Sequence, residues 1–381
     1  MNHSEIPHSD LQLWHQIRPY FQVDLLQWFD IQARDLPWRR TKDPYRIWLS
    51  EMMLQQTRVD QAMPYYHAFL EAFPTVFDLA KAPLDAVLKR WEGLGYYARA
   101  RNLHKAAKQI IANHNGIFPK TAEEALALPG IGPYSAAAIL SIAYQVPLAV
   151  LDGNVMRVLA RVLAFEEDIR LPQNRKTLWI WATRLLPTEY PGRFNEAIME
   201  LGATVCTPAK PDCRACPLQP ACSAYRNNQQ SALPCVSKKP KIPHYHIAIG
   251  LVVNNRGEYL ISRRPDDGLL GGLWEFPGGK QEPNESLEET CKRELQEEMG
   301  IEVGITEKVA LVKHAYTHFK ITLHAFLCTL GRGTPVSANG QPFRWVMEDE
   351  LEHFAFPKAN IKVIEALRNR KSKPTLFDET N

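Results

Sequence analysis

The eight residues LPGIGPYS, at positions 128–135, determine the fold predicted for the first part of the chain. Gly130 and Gly132 allow a sharp backbone turn, and Pro133 suits the first position of a following helix. Because the flanking segments have helical spacing, the stretch predicts two helices joined by a tight hairpin. The free N–H groups of the second helix suit a phosphate oxygen. A purely structural helix-turn-helix corner is the alternative.

The composition around this hairpin is that of an ordinary globular protein. The 381 residues suffice for two or three domains, with 45% hydrophobic and 23% charged residues, which excludes collagen-like and wholly disordered classes. No apolar run reaches the length of a membrane span, and the N-terminus lacks a signal-peptide core, so we expect a cytoplasmic protein. The net charge of +3 is too small to indicate a nucleic-acid partner.

The chain divides by pattern into four segments. Residues 10–225 have helical periodicity, residues 226–244 form a polar, basic linker with three prolines, and residues 245–370 contain β-like runs interrupted by a helix. Residues 371–381 are expected to be a flexible tail. This order predicts a multidomain protein, in which an all-α domain precedes an α+β domain.

Four of the seven cysteines lie close together in C-x6-C-x2-C-x5-C spacing: Cys206, Cys213, Cys216 and Cys222. In a reducing compartment such thiols indicate a metal centre rather than disulfides. Zinc sites more often use two C-x2-C pairs. Because only one such pair is present, the spacing favours a [4Fe–4S] cluster, with zinc as the alternative.

Two further segments and one acidic residue complete the pattern. Residues 48–57 are WLSEMMLQQT, residues 93–101 are GLGYYARAR, and Asp152 follows the hairpin within LDGNV at residues 151–155. Together with the four-cysteine loop, they resemble the helix-hairpin-helix superfamily of base-excision DNA glycosylases. Within it, the resemblance is to the MutY family of adenine DNA glycosylases, over roughly residues 10–370.

The resemblance implies an enzyme that flips adenine, paired with 8-oxoguanine or guanine, out of duplex DNA and hydrolyses its N-glycosidic bond. It also implies a [4Fe–4S] cluster, double-stranded DNA as partner and a place at the nucleoid, and we expect a monomer. Glu51 resembles the general acid that protonates adenine N7, and its apolar neighbours would raise its pKa. Asp152 resembles the carboxylate that stabilises or captures the sugar cation.

The same resemblance assigns Tyr134 and Asn154 to holding and polarising this site. Bifunctional relatives carry a lysine at position 134, whose amine cleaves the strand through a Schiff base. The tyrosine here predicts a monofunctional enzyme that leaves an abasic site. Residues expected at the DNA or at the flipped base are Gln56, Tyr96, Glu196, Arg39, Gly130 and Gly132.

For residues 245–370 the resemblance implies a Nudix-like domain that recognises 8-oxoguanine. Tyr316-Thr317-His318 stands where the family usually has Phe-Ser-His, so Thr317 and His318 are expected at the lesion. A complete Nudix box at residues 279–301 departs from the degraded box usual in the family.

Three acids of this box, Glu294, Glu297 and Glu298, lie at i, i+3 and i+4 and share one helix face. They predict a Mg²⁺ site and a second activity, hydrolysis of a damaged nucleoside triphosphate. A relic box kept for folding is the alternative.

Other functional hypotheses stay open at this point. A glycosylase for oxidised pyrimidines would be expected to carry lysine at position 134 and to lack the second domain. A Nudix hydrolase with an attached DNA-binding module and a non-catalytic lesion binder are further alternatives. In the tail, residues 374–377 (PTLF) suggest either a docking peptide for a sliding clamp or a frayed terminus.

Overall fold

The computed structural model of the chain describes residues 8–237, 242–316 and 318–371. Contacts divide the chain into two compact units. Unit 1 comprises Met1–Lys81 and Asn102–Lys239, and unit 2 comprises Ala82–Arg101 and Pro240–Asn381. Within the described ranges, no helix combines the length and the apolar character that a membrane crossing would require. The predicted clamp-docking stretch, residues 374–377, lies outside the described residues.

Unit 1 is helical. Its helices are α1 (His8–Pro19), α2 (Leu25–Gln32), α3 (Pro44–Leu54), α4 (Val59–Ala72), α5 (Val76–Lys81), α8 (Ala122–Leu126), α9 (Pro133–Tyr144), α10 (Gly153–Val162), α11 (Pro172–Leu185), α12 (Pro191–Thr204) and α13 (Ser223–Arg226). Helix α6 (Leu84–Arg90) lies in unit 2, and α7 (Ala98–His114) begins there and continues in unit 1.

Local sequence fixes where the helices of the core begin. Asp43 caps α3 by accepting a hydrogen bond of 2.9 Å from the N–H of Tyr45, and Pro44 occupies the first helical position. Gly130, at φ +78°, makes the predicted hairpin turn between α8 and α9. A Cβ at Gly192 would lie 2.4 Å from the carbonyl oxygen of Ser141. This glycine therefore lets α12 pack directly on α9.

Unit 2 contains a mixed sheet with helices on it. Its strands are β1 (His244–Val253), β2 (Tyr259–Arg263), β3 (Trp274–Glu275), β4 (Gly278–Lys280), β5 (Glu302–Ala315), β6 (Lys320–Arg332) and β7 (Phe343–Val346). The order is β3-β2-β1-β6-β5, with β4 added to β1 and β7 to β2. Strands β1 and β6 run parallel, and the other pairs are antiparallel.

Helices α14 (Leu287–Met299) and α15 (Lys358–Lys371) cover apolar clusters of this sheet. A capping box between Ser286 and Glu289 starts α14, and Gly300 ends it in the left-handed conformation. The predicted order of a helical domain followed by an α+β domain is confirmed. The short strands β3, β4 and β7 are not predicted from the sequence, because two to four residues give too little alternation.

The predicted linker has structure of its own where it is described. Leu233 is buried, and its carbonyl oxygen accepts a hydrogen bond of 2.9 Å from Nε of Arg161. Strand β1 already begins at His244, while residues 238–241 lie outside the described residues. The functional boundaries 10–225, 226–244 and 245–370 stay a prediction.

Candidate active site

A cavity of about 770 Å³ lies in unit 1, within the size range of small-ligand sites. Its walls come from α3, α9, α10, α12 and the segment before α3. The cavity brings together seven of the residues that the sequence predicts for the site: Arg39, Glu51, Gln56, Tyr134, Asp152, Asn154 and Glu196.

Glu51 is a buried acid on α3, with 6% of its surface exposed. Burial raises the pKa of Glu51 to about 7, and the charges of Asp152 and Glu196 add to the rise. A hydrogen bond from Tyr134 and the charge of Arg39 oppose this rise without cancelling it. The Tyr134 hydroxyl also lies 3.1 Å from Sδ of Met199. Glu51 can therefore hold a proton near neutral pH.

Asp152 is the N-cap of α10. Its Oδ1 accepts a hydrogen bond of 2.7 Å from the N–H of Val155, and its Oδ2 accepts one of 2.8 Å from Nδ2 of Asn154. Burial raises the pKa of Asp152, whereas these hydrogen bonds and the charge of Arg157 favour the ionised form. The helix N-terminus adds positive potential. Burial is the larger effect, so the pKa of Asp152 is raised overall, and the hydrogen bonds limit that rise.

Arg157 links Asn154, which donates to Asp152, to the cysteine loop. Its Nη2 donates to Oδ1 of Asn154 at 2.8 Å and to the carbonyl of Gly202 at 2.6 Å. Its Nε donates to the carbonyl of Cys206 at 2.7 Å. One buried guanidinium therefore fixes both the Asn154 amide and the backbone of a predicted metal ligand.

A second charged cluster forms another wall of the cavity. Oε1 and Oε2 of Glu200 accept hydrogen bonds of 2.7 Å from Nε and Nη2 of Arg34, and Oε2 accepts one of 2.9 Å from Nη2 of Arg39. Nε of Arg39 lies 3.7 Å from Oε1 of Glu196. Burial raises the pKa of Glu196, and Arg39 opposes the rise.

The hairpin glycines lie outside the cavity lining. Gly132 is the N-cap of α9, and a Cβ at Gly130 would lie 2.7 Å from Cβ of Asn102. The turn therefore tolerates little but glycine at position 130, whatever its role toward phosphate. Gln56 stands at the end of α3 with φ +58°, a conformation that non-glycine residues seldom adopt.

Tyr96 belongs to unit 2 and also has a positive φ, +49°. Its ring is 40% exposed. The guanidinium of Arg99 lies 5.4 Å from this ring and 5.3 Å from that of Trp91, and its Nη2 donates to the carbonyl of Gly95 at 3.0 Å. Arg99 therefore stabilises the turn that carries Tyr96.

The four clustered cysteines line one cavity of unit 1 together with Arg161. Nη1 of Arg161 lies 3.3 Å from Sγ of Cys206, and burial raises the pKa of Cys216 to about 12. Four thiols beside a buried cation are the donor set that a thiolate-bound cluster needs. In the described part of the chain, however, no group of three or more His, Cys, Asp or Glu side chains is arranged to hold a metal ion.

In unit 2, His318 is exposed and Thr317 lies outside the described residues. Glu298 accepts a hydrogen bond of 3.1 Å from the N–H of Gly278. Burial raises the pKa of Glu298 to about 7, with contributions from Glu275 and Glu294.

The other two acids of the box differ in their surroundings. A Cβ at Gly279 would lie 2.2 Å from the carboxylate of Glu294, so the missing side chain makes room for this acid. Glu297 is exposed and pairs with Arg293 at 3.0 Å. Carboxylate oxygens are ligands that suit Mg²⁺. Among the described residues, however, these three acids are not arranged as a group that could hold a metal ion.

Several cavity residues were not predicted from the sequence. Arg34 and Glu200 are the main ones, and Met199 is a third. The available signal was position: Glu200 follows Glu196 by one helical turn on α12, so both face the same side.

Comparison with known proteins adds to this geometry. The family model described as "HhH-GPD superfamily base excision DNA repair protein" matches residues 49–182, and that for the NUDIX domain matches residues 248–366. The chain is 34% identical to the human adenine DNA glycosylase, over 92% of this chain and 74% of that protein. It is 30% identical to the adenine DNA glycosylase of Schizosaccharomyces pombe, over 98% of this chain and 94% of that protein.

Among solved structures, a thermostable thymine-DNA glycosylase is similar at 30% identity and a TM-score of 0.52. The match covers 56% of this chain and 98% of that one.

Proposed function

Since the chain belongs to the adenine DNA glycosylase family, we propose that it removes adenine paired with 8-oxoguanine or guanine from double-stranded DNA. It is a DNA-binding enzyme of base excision repair that acts on an N-glycosidic bond. The observation that carries the proposed chemistry is the buried acid Glu51, which shares a cavity with the helix-capping carboxylate Asp152.

The first step belongs to Glu51. Loss of adenine as an anion is slow, so the base needs a proton before the bond to the sugar breaks. An acid with a pKa of about 7 holds this proton at neutral pH and releases it to adenine N7. Tyr134, hydrogen-bonded to Glu51, keeps the carboxyl group oriented toward the cavity.

The second step belongs to Asp152. As the bond breaks, positive charge develops on the sugar, and a carboxylate beside it stabilises or captures the cation before water attacks. Val155 N–H and Asn154 keep both oxygens of Asp152 in place. With tyrosine rather than lysine at position 134, no amine is present there to form a Schiff base, and the product is an abasic site.

The base reaches this buried acid only when it leaves the duplex, which costs a few kcal/mol of unstacking. Gln56, at the cavity, and the exposed ring of Tyr96 are proposed to enter the base stack and hold the gap. Glu196 and Arg39 contact the edge of the flipped base, and the hairpin at Gly130 and Gly132 receives a phosphate. In the second domain, Thr317 and His318 contact 8-oxoguanine.

The cysteines Cys206, Cys213, Cys216 and Cys222 would hold a [4Fe–4S] cluster, which supplies a rigid cross-link of their loop when bound. Arg157 and Arg161 hold the same loop from the protein side. A monomeric state, a site of action at the nucleoid in the cytoplasm and a contact of the tail with a sliding clamp belong to the proposal as well.

The direct test uses a duplex with a single adenine opposite 8-oxoguanine. Treatment with the protein and then with alkali is expected to break the adenine strand, because alkali cleaves abasic sites. Glu51→Gln is expected to give no breaks, since an amide N–H is far too weak an acid to transfer its proton to adenine. Equal rates for the two proteins would overturn the assigned acid, and no breaks with the unaltered chain would overturn the function.

A second activity is proposed for the Nudix box. Glu294, Glu297 and Glu298 would hold Mg²⁺, and the observation that favours this is the placement of the carboxylates of Glu298 and Glu294 directly against the backbone at Gly278 and Gly279. The full chain with Mg²⁺ and 8-oxo-dGTP is expected to release pyrophosphate, and Glu298→Gln to release none. Glu352→Gln, which alters an exposed acid of the same unit, is the matched control. Absence of release by the unaltered chain would remove this activity.

A further inference from the structure

Glu200 is a carboxylate of the cavity wall whose side chain is almost wholly buried. Its side chain is 1% exposed, and its two oxygens accept four hydrogen bonds: from the N–H of Arg34 at 3.1 Å, from Nε and Nη2 of Arg34 at 2.7 Å, and from Nη2 of Arg39 at 2.9 Å. Because its acceptor capacity is taken up by arginine, Glu200 acts on the cavity only through these two cations.

Arg39 is held at three points by this arrangement. Its Nη2 donates to Glu200, its Nη1 donates to the carbonyl of Arg34 at 3.0 Å, and its plane lies over the ring of Phe29 at 5.1 Å. The guanidinium therefore cannot rotate freely. Its Nε is buried and has no hydrogen-bond partner among the described residues.

The unsatisfied donor lies beside an acceptor. Nε of Arg39 is 3.7 Å from Oε1 of Glu196, beyond hydrogen-bonding distance, and both residues line the cavity. An N–H next to a carboxylate matches a purine edge on which a ring nitrogen accepts and a neighbouring amino group donates. Adenine presents this edge with N1 and its 6-amino group, whereas guanine presents the reverse, an N1–H beside O6.

We propose that Glu200 is a positioning residue for base selection: it holds Arg39 away from Glu196, so that a donor and an acceptor stay separate for a purine with a 6-amino group. This inference rests on the proposed function and names a residue that sets its specificity. Without the charge of Glu200, Arg39 would move onto Glu196, and donor and acceptor would satisfy each other instead of the base.

The test compares two bases opposite 8-oxoguanine in otherwise identical duplexes: adenine, and unsubstituted purine, which lacks the 6-amino group. Single-turnover excision rates are measured for the unaltered chain, Glu200→Gln and Glu200→Asp. We expect Glu200→Gln to lower the adenine-to-purine rate ratio by about tenfold, as for the loss of one hydrogen bond to a charged group. Glu200→Asp, which keeps the charge, is expected to retain more of the ratio.

Asp35→Asn is the matched control, because Asp35 pairs with Arg40 in the same segment but is exposed. Its ratio is expected to be unchanged. If Glu200→Gln does not fold, Arg39→Lys, which removes the Nε donor while Glu200 remains, is expected to lower the ratio in the same way.

A merely structural role predicts that Glu200→Gln lowers both rates equally, and this result would overturn the inference. It would leave the proposed function intact, which fails only if the unaltered chain excises no adenine.

Discussion

Nη2 of Arg157 donates a hydrogen bond of 2.8 Å to Oδ1 of Asn154, and this bond determines which way the Asn154 amide faces. With Oδ1 turned to the guanidinium, Nδ2 can donate to Asp152. The opposite orientation would place an amide oxygen against a carboxylate. The orientation of the Asn154 amide beside Asp152 therefore depends on an arginine that also holds the backbone of Cys206.

Arg157→Met should show this dependence. It leaves the Asn154 amide free to turn, so Asp152 loses a hydrogen bond that favours its charge. We expect adenine excision to fall by about tenfold or more, the loss of a charge-assisted hydrogen bond. Single-turnover rates with Arg175→Met as the exposed control provide the measurement. An unchanged rate would show that Asp152 needs no support from Arg157.

The pH dependence of excision follows from Glu51. The pKa of this acid is about 7, and only its protonated form can donate to adenine. As pH rises through 7 the protonated fraction falls, so the rate should fall by about tenfold per pH unit above that value. Excision rates measured from pH 5.5 to 9 on one duplex would show this decline. A flat profile across this range would contradict the role of Glu51 as acid.

Glu51→Gln should make the protein more stable in alkaline solution. The rise in the pKa of Glu51 from 4.5 to about 7 means that, between these values, the folded state keeps a proton that the unfolded state has lost. The free energy of unfolding therefore falls as pH increases, by about 3 kcal/mol in total. Urea unfolding of both proteins at pH 5 and pH 8 would measure it. We expect Glu51→Gln to have the higher free energy of unfolding at pH 8, and the two proteins to differ little at pH 5.

Tyr96 should matter through its ring and not through its hydroxyl. Tyr96→Phe keeps the face that stacks on bases, whereas Tyr96→Ala removes it. We therefore expect Tyr96→Ala to reduce excision from duplex DNA strongly, and Tyr96→Phe to reduce it by less than about twofold, because stacking is retained. Similar losses for both variants would point to the hydroxyl instead.

Tyr134 should keep the reaction free of a covalent amine intermediate. Sodium borohydride traps Schiff bases between an enzyme and the sugar, and the unaltered chain is expected to give no trapped product during excision. Tyr134→Lys places an amine at this position and is expected to gain a trapped adduct. Strong trapping by the unaltered chain would contradict the monofunctional mechanism.

The sequence predicted most of what local pattern controls. The hairpin around Gly130 and the helical character of the segment that carries Glu51 depend on residues near in the chain, and both were predicted, whereas the N-cap at Asp152 was not. Arg34 and Glu200 were missed because they lie 166 residues apart. In sequence each looks like an ordinary surface charge, and only the packing of α12 shows that Glu200 is buried and paired with Arg34.

The contacts that hold the cysteine loop likewise could not be predicted from the sequence. Spacing indicated which thiols belong together, but not that Arg161 and Arg157 hold the loop through Sγ and the carbonyl oxygen of Cys206. Arginines on α10 look like a solvated helix face, yet both are buried. Thr317 lies outside the described residues, and its contact with 8-oxoguanine stays a prediction.

Gln56 and Tyr96 both have backbones in the left-handed region. For side chains other than glycine this conformation costs of order 1–3 kcal/mol at each position, and the surrounding fold has to impose it. This unfavourable free energy is part of folding and does not recur each time the protein binds DNA. If Gln56 and Tyr96 enter the base stack as proposed, their backbones hold this conformation before the protein binds DNA, and each binding event has to supply only the free energy that opens the base stack.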